Sequence, residues 1–294
     1  MWKDRRLCDL LGLEHPILQA PMAGAQGAAM AIAVSEAGGL GALPCAMLTA
    51  ETMRAEMAAI RAATARPVNL NFFCHAPPAP DPARATAWRA RLAPLYREAG
   101  LDPDAPWPAA TRAPFDATSC AFVEDARPEV VSFHFGLPAP DLLARVKATG
   151  AKILSSATTV AEARWLAARG VDAIIAQGAE AGGHRGLFLT DDVAAQPGLF
   201  ALAPQIVDAV DVPVIAAGGV GDARGLVAAL ALGAAGVQIG TAYLFTPEAT
   251  IHAAHRAALA SAAAESTALT NVFTGRPARG LINRAMRELG PLAP

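Results

Sequence analysis

An α/β barrel of eight parallel strands is the fold this sequence predicts, on three observations. Short apolar runs, too brief for helices, recur along the 294 residues; such runs read as strands buried on both faces of a parallel sheet. Helical patterns separate nearly all of them, as right-handed crossovers between parallel strands require. The runs then empty into Gly, Pro, Asn, Gln and His, so the polar residues gather at strand carboxyl ends, where α/β folds bind ligands.

The elements follow in order. Pro16–Ala20 is the first strand and runs straight into Pro21, Met22, Ala23 and Gly24. Ala25–Ala37 is helical and stops at Gly38-Gly39, a glycine C-terminal signal. Gly39–Leu43 is the second strand, and the helix Thr49–Ala65 opens on Thr49 as N-cap with Glu51 in its first turn. Pro67–Asn71 is the third strand and leads into Phe72, Phe73, Cys74 and His75. The rhythm then breaks. Ala76–Pro114 is rich in Pro, Ala and Arg, with one helix over Ala83–Glu98 whose Arg84, Arg89, Arg91 and Arg97 read as a solvated face. The whole excursion, 76–125, is expected to be a lid or an interface element above the barrel.

Regularity returns with Glu129–Phe133, followed by His134, Phe135 and Gly136, then a helix over Asp141–Thr149. Ala151–Ser155 is the fifth strand, Thr158–Arg169 a helix, and Asp172–Ala176 the sixth strand. That strand opens the stretch DAIIAQGAEAGGHRG, residues 172–186, in which Gln177, Glu180, Gly182, Gly183 and His184 crowd one strand end. Pro213–Ala217 runs into Gly218 and Gly219, Asp222 caps a helix over Ala223–Leu232, and Gly236–Gly240 ends at Thr241. The architecture is therefore a TIM (β/α)8 barrel with a helical excursion after strand 3. It is expected as a single domain over 10–294 preceded by an N-terminal segment, 1–9.

Composition narrows the function. With 53% apolar and 17% charged residues the chain has ample core, and a net charge of -2 gives no electrostatic reason to expect nucleic acid or an anionic membrane. Cys8, Cys45, Cys74 and Cys120 are scattered without ligand spacing, so they read as reduced thiols and no metal site is expected. No signal peptide and no run of about 18 apolar residues stands out, so a cytoplasmic protein is expected, monomer or homodimer.

The predicted strand ends lack a carboxylate cluster and a Ser/His/Asp set. Gly218-Gly219 and Gly240-Thr241 follow the last two strands, where this fold commonly holds a phosphate. Asn71, Gln177 and Gln238 add amide donors and acceptors. Together they suit a planar heterocycle carrying a phosphate, and flavin mononucleotide (FMN) fits.

QAPMAG (19–24), NLNFFCH (69–75), SFHFG (132–136) and AQGAEAGGHRG (176–186), followed by AAGGV (216–220) and QIGT (238–241), resemble in order the motifs of the nitronate monooxygenase family. The resemblance covers roughly residues 10–245 and implies non-covalent FMN. It implies His184 as the catalytic residue and His134 opposite it in the substrate pocket. By the same match the cofactor contacts are Ala20, Pro21, Met22, Ala23, Asn71, Gln177, Gly182, Gly183, Gly218, Gly219, Gln238, Ile239, Gly240 and Thr241. The implied reaction is oxidation of alkyl nitronates, such as propionate 3-nitronate, by oxygen to a carbonyl compound and nitrite. An FMN-dependent enoyl-ACP reductase of the same superfamily is the alternative enzyme, against which SFHFG and NLNFFCH argue. A degenerate flavin-binding barrel without turnover is the non-enzymatic one. Family members usually run on for some tens of residues past the position of Pro294, in a tail that helps close the site.

Overall fold

The computed structural model describes residues 2–107 and 112–293; positions 108–111 of the expected excursion and both terminal residues of the expected ranges lie outside it. The strands are β1 (Ile17–Gln19), β2 (Gly41–Pro44), β3 (Val68–Phe73), β4 (Val130–His134), β5 (Lys152–Ala157), β6 (Ala173–Gln177), β7 (Gly183–His184), β8 (Val214–Ala217), β9 (Gly236–Ile239), β10 (Thr267–Thr270) and β11 (Ala278–Leu281). Eight of them form one parallel sheet in the order β1-β9-β8-β6-β5-β4-β3-β2. A parallel bridge between Leu18 and Leu40 joins its two ends. The Gln19 side chain extends that seam: its Oε1 accepts from Ala42 N at 2.9 Å. Closure leaves this sheet without a free edge.

The apolar runs became strands because both faces are covered. Leu18, Val130, Leu154, Ile175 and Ile215 pack inside the barrel, while Leu70, Val131, Phe133, Ile153 and Ile174 face the surrounding helices. The helix Ala28–Glu36 lies directly on β2, where a Cβ at Gly41 would collide with the Ala31 carbonyl. Thr49 and Asp222 cap their helices as the sequence predicts, accepting from Thr52 N and from Arg224 N and Gly225 N.

Three sequence expectations are corrected and one helix is added. The domain begins before Leu10, because the helix Arg6–Leu11 buries Leu7, Cys8 and Leu11 in the cluster that fills the barrel. The excursion ends before 117, because Ala117–Ala126 is a barrel helix with Cys120, Phe122 and Val123 buried. A helix over Leu199–Val207 was not foreseen; Pro204 lies inside it and its cap comes from elsewhere, the Glu180 carboxylate accepting from Leu199 N at 2.8 and 3.0 Å. The excursion helix, Pro82–Glu98, buries no residue, yet its arginines are not merely solvated. Arg89 lies 4.5 Å over Trp107, Arg91 donates to Leu289 O at 2.7 Å, and Glu98 meets Arg284. These contacts tie the excursion to the C-terminal segment.

That segment also makes the second sheet, antiparallel in the order β10-β11-β7. Gly183 and His184, which crowd the end of β6 in the sequence, are therefore an edge strand of their own, with Ala278 paired to His184 and Arg279 to Gly183. No helix among the described residues is long and apolar enough to cross a membrane.

Candidate active site

Rings carried at and past the carboxyl ends of β3 and β4 and by β7 cluster into a cup of aromatic and imidazole side chains. Phe135, just past β4, is its centre. Its φ of 68° lies in the left-handed region, a conformation that costs a bulky residue on the order of 1–3 kcal/mol and that the surroundings must impose. The reward is contact: its ring sits 4.4 Å from His134, 5.2 Å from Phe73, 5.9 Å from His75 and 6.1 Å from His184.

His134 is held from behind. Its Nδ1 pairs with Ser156 Oγ at 2.6 Å, and Gly186 lets it approach, since a Cβ there would lie 2.8 Å from both His134 Cε1 and Ser156 Oγ. Burial, with the charges of His184 and Arg185 nearby, pushes its pKa down to about 3. His184 is fixed on three sides. Its backbone pairs with β11, its Nε2 meets Thr274 Oγ1 at 2.9 Å, and its carbonyl accepts from Gln177 Nε2 at 2.9 Å. The other end of that amide, Gln177 Oε1, accepts from Gly186 N at 2.8 Å. Thr274 Oγ1 also lies 3.2 Å from Arg276 O; with the hydroxyl proton placed there, Nε2 carries the ring hydrogen and Nδ1 is the free base. Burial first, then the charges of Arg112, Arg276 and Arg185, lowers the His184 pKa to about 4. Both rings are neutral at pH 7.

This has a stability consequence. In the unfolded chain a histidine titrates near about 6.5. Between that pH and the depressed folded values the native state binds fewer protons, so stability is full above about pH 6.5 and is lost as pH falls. At about 1.4 kcal/mol per pKa unit, each histidine removes on the order of 3 kcal/mol by about pH 4. The melting temperature is expected to drop steeply from pH 7 to pH 4.5, and less steeply in His184→Asn. A flat profile would contradict the burial of these rings as neutral groups.

The remaining predicted residues gather on the opposite rim. Gly218 and Gly219 are both left-handed, with φ of 122° and 68°, and a Cβ at Gly218 would reach within 3.0 Å of Ala181 N. A Cβ at Gly182 would lie 3.5 Å from Thr241 Oγ1, and one at Gly240 3.5 Å from Ala20 Cβ and 3.9 Å from Met22 Sδ. The rim thus offers unobstructed amides and a hydroxyl, with Pro21 and Ala23 flanking Met22 and half-buried Ile239 ending β9. Gln238 Oε1 is buried with no hydrogen-bond partner among the described residues, an acceptor in need of a donor such as a flavin ring N–H. This set fits a phosphate-bearing flavin. Two predicted contacts are otherwise engaged: Asn71 Nδ2 donates to Ser132 Oγ and O, and the Gln177 amide is spent on the backbone of residues 184 and 186. Glu180, grouped in the sequence with the chemistry, is the helix cap already described.

The sequence reading missed Phe73, Phe135, Ser156, Thr274 and Arg276. Phe135 stood inside a quoted motif, SFHFG, but nothing in that string announces a left-handed backbone. Thr274 and Arg276 lie in TGRPAR, a run with no periodicity.

The sequence matches the family described as nitronate monooxygenase over residues 4–294. The chain belongs to the nitronate monooxygenase family. It is similar to a Pseudomonas aeruginosa protein named nitronate monooxygenase, 44% identical over 284 residues that cover 95% of this chain and 80% of that one. A crystal structure of nitroalkane oxidase from Streptomyces ansochromogenes superimposes with a TM-score of 0.87 at 41% identity, covering 97% of this chain and 81% of that one. FabK from Thermotoga maritima gives a TM-score of 0.75 at 29% identity, covering 98% and 78%. Membership of the nitronate monooxygenase family makes the protein a flavin-dependent oxidoreductase with a TIM barrel fold, acting on a small molecule.

Proposed function

We propose that the protein binds FMN and oxidises alkyl nitronates with oxygen, releasing a carbonyl compound and nitrite. The observation that carries this reading is the pairing of two neutral imidazoles, His134 and His184, with Arg112, Arg276 and Arg185 close enough to depress His184. An anion is welcome there, and a neutral imidazole is ready to accept a proton. When bound, the flavin supplies the electron acceptor that no side chain here provides. Its phosphate suits the rim of Gly182, Gly218, Gly219 and Thr241, and Gln238 Oε1 suits its ring.

The side chains have separate tasks. With a neutral nitroalkane, His184 takes the proton from the carbon that the nitro group acidifies. With a preformed nitronate no carbon proton has to be removed, and this step is not needed. His134, backed by Ser156, faces the same space as hydrogen-bonding partner. Phe73 and Phe135 exclude water, which strengthens every charge interaction inside the cup.

The purified protein is expected to be yellow and to release FMN, not FAD, on denaturation. Anaerobic mixing with ethyl nitronate is expected to bleach the flavin much faster than NADH or NADPH does. The enoyl-ACP reductase alternative has a signature of its own. Rapid reduction by NADH coupled to crotonyl-thioester turnover, with no bleaching by nitronate, would establish that alternative and sink the present reading.

A further inference from the structure

Arg185 is a buried charge without an ion-pair partner. Arg61, Arg66 and Arg145 each meet a carboxylate, at 2.7, 2.6 and 2.7 Å. Arg185, only 1% exposed, meets none among the described residues. Its Nη1 donates to Gly178 O at 3.0 Å and to Ala179 O at 3.2 Å. Its Nε and Nη2 are buried with no hydrogen-bond partner among the described residues. A second guanidinium converges on the same turn. Arg279, paired with Gly183 on β11, donates through Nε to Ala179 O at 2.8 Å. Neutral donors hold carbonyls at far lower desolvation cost than a buried charge does, so anchoring the turn does not account for the charge. Burial, then the Arg279 charge, lowers the Arg185 pKa to about 10 against the pull of Glu180, and the group stays charged at pH 7. Two guanidiniums against the one carboxylate of Glu180 leave this turn a net positive charge.

That charge lies one residue behind the glycine rim. Gly178 O, which Arg185 holds, also accepts from Ala181 N at 3.1 Å. Ala181 packs on the rim, since a Cβ at Gly218 would lie 3.0 Å from its N, and the next residue is Gly182. The rim itself, Gly182, Gly218, Gly219, Gly240 and Thr241, has no cationic side chain. A phosphate dianion there finds amides and a hydroxyl to bond with, but nothing in the rim to balance its charge. We infer that Arg185, assisted by Arg279, supplies the positive charge of the phosphate rim, acting through the 178–181 turn without touching the ligand. A buried charge is suited to this, because salt screens it much less than an exposed one. The inference rests on the flavin reading for the ligand; the assignment of the charge to these two arginines is separate from it.

The test uses riboflavin, which is FMN without its phosphate. Holoprotein is dialysed to equilibrium against mixtures of the two, and the bound ratio reads their relative affinity. Wild type is expected to prefer FMN roughly 100-fold, and Arg185→Met to lose about tenfold of that preference, the scale of one partly shielded charge. Arg185→Lys, which keeps a charge and gives up the planar fork, recovers most of it. Arg279→Met lowers the preference by a smaller factor, and it takes over the test on the same criterion should Arg185→Met fail to fold. A merely structural role weakens both flavins alike and leaves the ratio at its wild-type value. That result overturns the inference and leaves the flavin reading intact. So does a wild type that binds the two flavins equally. A second arm needs no flavin: the melting temperature in inorganic phosphate against chloride at equal ionic strength. If neither flavin binds, yet phosphate raises the melting temperature of wild type and not of Arg185→Met, the charged rim stands and the flavin reading falls. If neither flavin binds and phosphate shifts neither protein, both fall.

Discussion

His184→Asn is expected to keep its flavin and lose about 10²–10⁴-fold in kcat/KM on nitroethane, the usual contribution of a positioned general base. Cofactor retention follows from place. The glycine rim at residues 182, 218 and 219 does not involve the imidazole, and Asn leaves the backbone pairing of residues 183 and 184 with β11 undisturbed. Activity on preformed ethyl nitronate is expected to fall less, because no carbon proton then has to be removed. The pH profile sharpens the test. Since kcat/KM for a neutral substrate reports the free enzyme, the wild-type acid limb is expected near the depressed His184 value of about 4, with activity lost as pH falls through it. The limb disappears in the variant. Should His184→Asn bind flavin and oxidise nitroethane at the parental rate with the same acid limb, the proton acceptor is another group and His184 is structural.

The parts of this molecule that were legible in the sequence are those that local physics dictates. Strands buried on both faces must be apolar throughout, so β4, β6 and β8 stood out as runs. Cap residues such as Thr49 and Asp222 betray themselves by type and position. The left-handed backbone at Gly218 and Gly219 belongs to glycine for a steric reason, which is why paired glycines at strand ends pointed to a ligand rim. What escaped were choices made between distant segments. Thr274, the ring partner of His184, lies 90 residues away in a hairpin whose sequence carries no alternation that marks it as part of the site. Glu180 sits among the residues of the chemistry, yet its carboxylate caps a helix that starts 19 residues later. The left-handed turn at Phe135 is imposed by tertiary contacts that repay its strain, and a propensity argument points the other way.

Gln177 is the clearest case of a residue whose type was informative and whose role was not. An amide at the end of β6 reads as a flavin contact, but here both of its ends are engaged by the GHRG strand. Gln177→Leu keeps the volume and removes both hydrogen bonds, leaving His184 O and Gly186 N without their side-chain partner in a region where Gln177 is only 8% exposed. At about 1–3 kcal/mol per stranded buried group, the cost is expected to be about 2–6 kcal/mol of stability. Activity should suffer as well. Gly186 packs against His134 and His184 faces the cup, so a shift of about 1 Å in this strand misaligns both imidazoles and is expected to cost on the order of 10²-fold in kcat/KM. Gln177→Glu separates the two ends of the clamp: its carboxylate still accepts from Gly186 N but cannot donate to His184 O. It is expected to melt between wild type and the leucine variant, and its negative charge should raise the His184 pKa and move the acid limb of kcat/KM upward. Thermal melts and pH profiles of the three proteins decide the matter. A leucine variant that melts and turns over like wild type, and differs only by binding flavin more weakly, would show that this amide serves the cofactor and not the histidine.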